Sequence, residues 1–131
     1  MKRSSISTII LLVSMLACLG TGIMLHLQVI HRNITSFTPL TFFHLGLAAV
    51  VGVFMVNHVI KHVKWFKAYG NIRWGKKTLV TIMSVIGTIV IITGALLIFI
   101  VEREVSMIHY ILGILFAILC LAHFIPRIKR L

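Results

Sequence analysis

Residues 42–65 read FFHLGLAAVVGVFMVNHVIKHVKW, and three of them are histidines: His44, His58 and His62. The rest of the stretch is apolar enough to lie in hydrocarbon. Lipid cannot hydrogen-bond an imidazole, so whatever satisfies these rings at membrane depth must come from the protein or from a ligand. Reading this stretch as a membrane helix fixes the fold class. The question of what its histidines do governs the reading of function.

The surrounding composition agrees with a membrane chain. Of 131 residues, 60% are hydrophobic, and the mean hydropathy is +1.10. That exceeds the roughly half-apolar composition of water-soluble domains. Four apolar spans are legible, at about residues 6–30, 40–60, 78–101 and 107–125. Each is close to the ~20 residues a helix needs to cross a bilayer. Spanning segments of this length must be helical, because open backbone groups find no partner in lipid. Short connections predict an all-α, up-down-up-down four-helix bundle, with residues 1–131 forming a single transmembrane domain.

Thirteen Lys and Arg stand against two acids, a net charge of +11. In a soluble protein that excess would point to nucleic acid. Here the positive residues lie between spans and alternate by side. Eleven fall before the first span, after the second and after the fourth. Arg32 and Arg103 are on the other side, together with Glu102 and Glu104. The positive-inside rule therefore predicts cytoplasmic termini and a cytoplasmic middle loop, in a bacterial or archaeal cell membrane. The basic start and "MLACLG" around Cys18 resemble a cleavable leader. The apolar run continues well past that Cys, as in a retained helix.

The histidines carry a pattern. His44 and His58 are 14 residues apart in the second span, and His109 and His123 are 14 apart in the fourth. Fourteen helical steps fall about 40° short of four turns and rise about 21 Å, so each pair shares one face and covers most of the core. The second and fourth spans run in the same direction, which puts His44 level with His109 near the outer face. His58 is then level with His123 near the inner face. Two neutral imidazoles facing each other can hold one flat metal macrocycle from both sides. A b-type haem asks for two axial nitrogens and an apolar slot, and the absence of C-x-x-C-H fits a non-covalent group. The pattern thus implies two haem b, His44 and His109 on the outer iron and His58 and His123 on the inner. Zinc would ask for further strong ligands, and no Cys or carboxylate stands at either level. Isolated membrane histidines otherwise serve as interhelical hydrogen bonds or proton relays.

Seven glycines lie in the spans (Gly20, Gly22, Gly46, Gly52, Gly87, Gly94 and Gly113), where they give room to a macrocycle or to close helix packing. "TGIMLHL" at 21–27 parallels "TGALLIF" at 93–99, and the H-x13-H pattern repeats at an offset of 65. These parallels predict a pseudo-twofold internal repeat.

The double H-x13-H on alternate helices resembles the haem-binding core of the respiratory cytochrome b subunits. The four-span format, the "TG" of spans one and three and "NHVIKHVKW" at 57–65 are similar to the flavinylation-associated cytochromes. The resemblance covers nearly the whole chain. It implies a dihaem electron-transfer subunit that passes electrons outward to an extracytoplasmic flavoprotein or other redox protein, with a quinol or a cytoplasmic-side donor. By carry-over, His44, His58, His109 and His123 are the axial ligands.

His62 and His26 depart from that pattern. His62 lies 18 residues after His44, five full turns, and so is on the same face as His44. It sits among Lys61 and Lys64 at the rim, where it could meet a haem propionate or a quinone head group. His26 lies near the outer end of the first span, within reach of an outer haem or of an interhelical hydrogen bond. Arg127, Lys61 and Arg73 are candidates for inner propionates, Arg32 and Arg103 for outer ones, although interfacial snorkelling is the more common explanation of such residues. Trp65, Tyr69 and Trp74 suit an interfacial aromatic belt. Asn33-Ile34-Thr35 fits a glycosylation acceptor. Cys18 and Cys120 suit small buried apolar positions. There is no dinucleotide or phosphate-loop motif. The other class of reading is a haem-free structural or assembly subunit, or a small transporter with a histidine proton relay. A Soret band separates the two.

Overall fold

The computed structural model describes residues 3–32, 37–71 and 74–128. All regular structure among them is helical: α1 (Arg3–Arg32), α2 (Pro39–Lys61), α3 (Val63–Lys67), a 3₁₀ turn (Tyr69–Asn71), α4 (Trp74–Phe99) and α5 (Arg103–Ile128). Four of these helices, α1, α2, α4 and α5, are long and apolar enough to cross a membrane, which marks an integral membrane protein. α1 packs along α2 and α5, and α4 packs along α5.

The observed helices outrun the apolar spans at several ends. α5 begins at Arg103, not near residue 107, and only residues 100–102 separate it from α4. Backbone hydrogen bonding does not stop where hydropathy falls: Ser106 N–H donates to Glu102 O at 3.0 Å, and Glu104 sits in the first turn, where a carboxylate suits the helix dipole. α2 starts with a reciprocal cap. Thr38 Oγ1 accepts from Thr41 N–H at 3.4 Å, Thr38 N–H donates to Thr41 Oγ1 at 3.1 Å, and Pro39 occupies the first turn. Pro126 lies inside the last turns of α5, removing one donor without ending the helix.

Among the described residues the buried apolar core is small. It comprises Leu11 and Met15 of α1 with Ala117, Cys120 and Phe124 of α5. Ser14 is buried beside them, its hydroxyl donating to Ile10 O at 2.8 Å. α2 has no fully buried residue, and Phe99 is 84% exposed. Apolar surface on that scale needs a lipid solvent. The few hydroxyls on the outside of α4 are compatible with it, because Thr81, Ser84 and Thr88 each donate to the carbonyl four residues earlier at 2.8 Å.

Candidate functional site

α2 and α5 each bring two histidines to facing positions. The ring centres of His44 and His109 are 6.4 Å apart, with planes at 88°. Those of His58 and His123 are also 6.4 Å apart, with planes at 83°. Two imidazoles bonded through Nε2 to opposite sides of one metal ion have a predictable separation. Each metal–nitrogen bond is about 2 Å and each ring nitrogen lies roughly 1.15 Å from its ring centre, giving about 6.3 Å. Both pairs stand at that separation. Among the described residues, no group of three or more His, Cys, Asp or Glu is placed to hold a metal ion. Each level therefore brings together one pair of imidazole rings, and no third His, Cys, Asp or Glu among the described residues is placed with them to hold a metal ion.

The His44–His109 pair is held from the neighbouring helices. His44 Nδ1 lies 2.9 Å from Thr21 Oγ1 and 3.8 Å from Cys18 Sγ, both on α1. His109 Nδ1 lies 3.0 Å from Thr93 Oγ1 and 3.1 Å from Val90 O, both on α4. The ring of His44 rests over Gly22, where a Cβ would come within 3.1 Å of its Cε1. The ring of His109 rests over Gly94, where a Cβ would come within 3.0 Å. A cavity of about 520 Å³ opens around this pair, walled mainly by apolar side chains such as Ala48, Ile91 and Leu97.

The His58–His123 pair borders a smaller cavity, about 140 Å³, with Leu11, Met83 and Cys120 in its wall. Buried Phe124 lies edge-on to both rings, 6.0 Å from His58 and 5.8 Å from His123. His62 stands beside His58, ring centres 4.7 Å apart and tilted by 51°. Met15, Val51, Met55 and Phe116 line both cavities and form an apolar partition between them. Phe116 lies against Gly87, where a Cβ would fall 2.8 Å from its ring. Gly87 thus makes room for an aromatic ring, and Gly22 and Gly94 for imidazoles. Gly20, Gly46, Gly52 and Gly113 have nothing within 4 Å of a Cβ.

The secondary candidates fall in three places. His26 stacks on Tyr110 across α1 and α5, with ring centres 3.9 Å apart and planes at 9°. Its Nδ1 is buried without a hydrogen-bond partner among the described residues, as is Gln28 Oε1, and both residues line the larger cavity. Lys61 Nζ donates to Ser7 Oγ at 3.4 Å, which ties the end of α2 to the start of α1. The side chains of Arg127, Arg32, Trp65, Tyr69 and Trp74, and the whole of Arg73 and Asn33–Thr35, lie outside the described residues. Cys18 and Cys120 are free thiols; Cys120 is buried and Cys18 half-buried.

Sequence reasoning found the four facing histidines and missed Thr21, Thr93, Tyr110 and Phe116. The Thr-Gly parallel carries the internal repeat and the family resemblance, but nothing in it shows that the two hydroxyls meet histidines. Compared with known protein families, curated proteins and solved structures, the chain matches none.

Proposed function

We propose that this protein is a membrane cytochrome of the b type that holds two haems and carries single electrons between the two faces of a membrane. His44 with His109 would hold the outer haem, and His58 with His123 the inner one. The observation that carries the reading is the repeated 6.4 Å separation of two imidazole pairs, a spacing at which each pair would hold one metal-centred group between its rings. Haem, when bound, supplies reversible one-electron chemistry.

The chain's own residues supply the rest. The imidazoles offer neutral nitrogen donors at membrane depth. Apolar walls exclude water from both slots, and the Met15–Phe116 partition keeps the slots distinct. His44 faces His109 while His58 faces His123, an order that supports parallel α2 and α5 and hence the up-down bundle. The 11-to-2 distribution of positive residues supports cytoplasmic termini. On that orientation the donor is a quinol or a cytoplasmic-side reductant, and the acceptor is an extracytoplasmic flavin- or haem-bearing protein. The flavinylation-associated cytochromes remain the family this format resembles.

The test is a pyridine haemochrome assay on the purified protein with a reduced-minus-oxidised spectrum. Two non-covalent b haems per chain are expected, both low-spin. The absence of a Soret band after expression with ample haem would overturn the reading and favour a histidine proton relay.

A further inference from the structure

We infer that the Thr-Gly pairs at 21–22 and 93–94 are positioning devices, each fixing one outer histidine as the Nδ1–H tautomer so that Nε2 alone is free to ligate. Their use in holding a haem rests on the proposed function; the tautomer itself does not.

Proton counting carries the argument. A carbonyl oxygen only accepts hydrogen bonds. Val90 O lies 3.1 Å from His109 Nδ1, so that nitrogen must bear the proton; otherwise two lone pairs would face each other. Thr93 Oγ1 also faces carbonyls, Ile89 O at 2.9 Å and Val90 O at 3.1 Å, and gives its single proton there. Its oxygen then accepts from His109 Nδ1–H at 3.0 Å. Thr21 offers the same arrangement: with its hydroxyl donating to Cys18 O at 2.9 Å or Ala17 O at 3.1 Å, its oxygen is left to accept from His44 Nδ1–H at 2.9 Å. The neutral imidazole has only one N–H, so Nε2 keeps its lone pair on both rings. A metal-bound histidine needs such an outer partner to fix its tautomer and orientation.

The glycine beside each threonine completes the device. For the hydroxyl to reach Nδ1, the ring must lie against the backbone of the partner helix. A Cβ at Gly22 or Gly94 would stand 3.1 or 3.0 Å from the ring's Cε1, so the ring would have to give by a few tenths of an ångström. Thr supplies the acceptor and Gly supplies the clearance, in the same order on α1 for the histidine of α2 and on α4 for the histidine of α5.

The two rings differ in one testable way. His109 has the Val90 carbonyl at 3.1 Å as well as a hydroxyl at Nδ1; His44 has the hydroxyl at 2.9 Å, with the Cys18 thiol at 3.8 Å and a weaker contribution from the Cys18 backbone. The experiment is magic-angle-spinning NMR of ¹⁵N-histidine-labelled protein, prepared without haem in lipid bilayers, with His44 and His109 signals assigned by their loss in His44→Ala and His109→Ala. The parent and Thr21→Ser should show His44 as the Nδ1–H tautomer. Thr21→Val should show a mixture at His44, and Thr93→Val should leave His109 as Nδ1–H because the Val90 carbonyl remains. An Nε2–H tautomer at either ring in the parent, or an unchanged His44 in Thr21→Val, would overturn the inference. In haem-loaded protein, Thr21→Val should weaken retention of one haem about 10-fold, with rescue by Thr21→Ser. The expected tautomers in a protein that binds no haem would support the inference while sinking the proposed function.

Discussion

At the scale of single residues, four histidines separate into two pairs that share a geometry, and the variants should separate the same way. His109→Ala removes one member of the outer pair, so a haemochrome assay should fall from two haems to one while the inner haem's spectrum persists. His123→Ala should remove the other haem. His62→Ala should retain both. On helical phase alone His62 aligns with His44 better than His58 does, but the rings at 6.4 Å are those of His58 and His123, with His62 leaning on His58 from the side. Loss of the inner haem in His62→Ala with its retention in His58→Ala would reverse this assignment. The histidine face was legible because 3.6 residues per turn turns a spacing of 14 into a shared face. Thr21 and Thr93 were not legible. Each bonds a residue of the following long helix, 23 positions away in one half and 16 in the other, so no fixed sequence interval announces the contact.

At the scale of elements, the helix glycines divide by what lies over them. Gly87→Ala places a methyl 2.8 Å from the Phe116 ring, whose body also forms the partition between the cavities. Overpacking of this kind should cost roughly 1–3 kcal/mol, read as a lowered midpoint of thermal unfolding in detergent. Gly94→Ala should act locally, displacing the His109 ring and lowering occupancy of the outer haem in the same preparation. Gly20→Ala and Gly46→Ala are controls: nothing lies within 4 Å of either Cβ, and the midpoint should stay or rise. Composition marks the seven glycines of the apolar spans alike. Only the neighbouring helix distinguishes a glycine that seats a ring from one that faces open space. The same limit applies to helix ends. Hydropathy placed the start of the fourth span near residue 107, whereas the backbone turns from Arg103, because hydrogen bonding and a favourable first-turn Glu104 extend a helix past its apolar segment.

At the scale of the whole molecule, the charge distribution makes a prediction independent of any cofactor. With the middle loop cytoplasmic, Gly75→Cys should react with an impermeant thiol reagent only after cell lysis, and Glu102→Cys should react in intact cells stripped of any outer barrier. The reverse accessibility would invert the bundle. Length, apolar content and charge placement by themselves determined that four helices are of membrane length and predicted which ends face the cytoplasm, because a bilayer acts on each segment through its own hydropathy and flanking charge. The 14-residue spacing determined which histidines share a face of their own helix. Only the tertiary structure decided how close those faces come, which threonine carries each outer imidazole, which glycines have rings laid over them and that an apolar partition divides the interior. Those are distances between helices. They depend on how side-chain volumes interlock across an interface, and a single chain's local periodicity does not encode that packing.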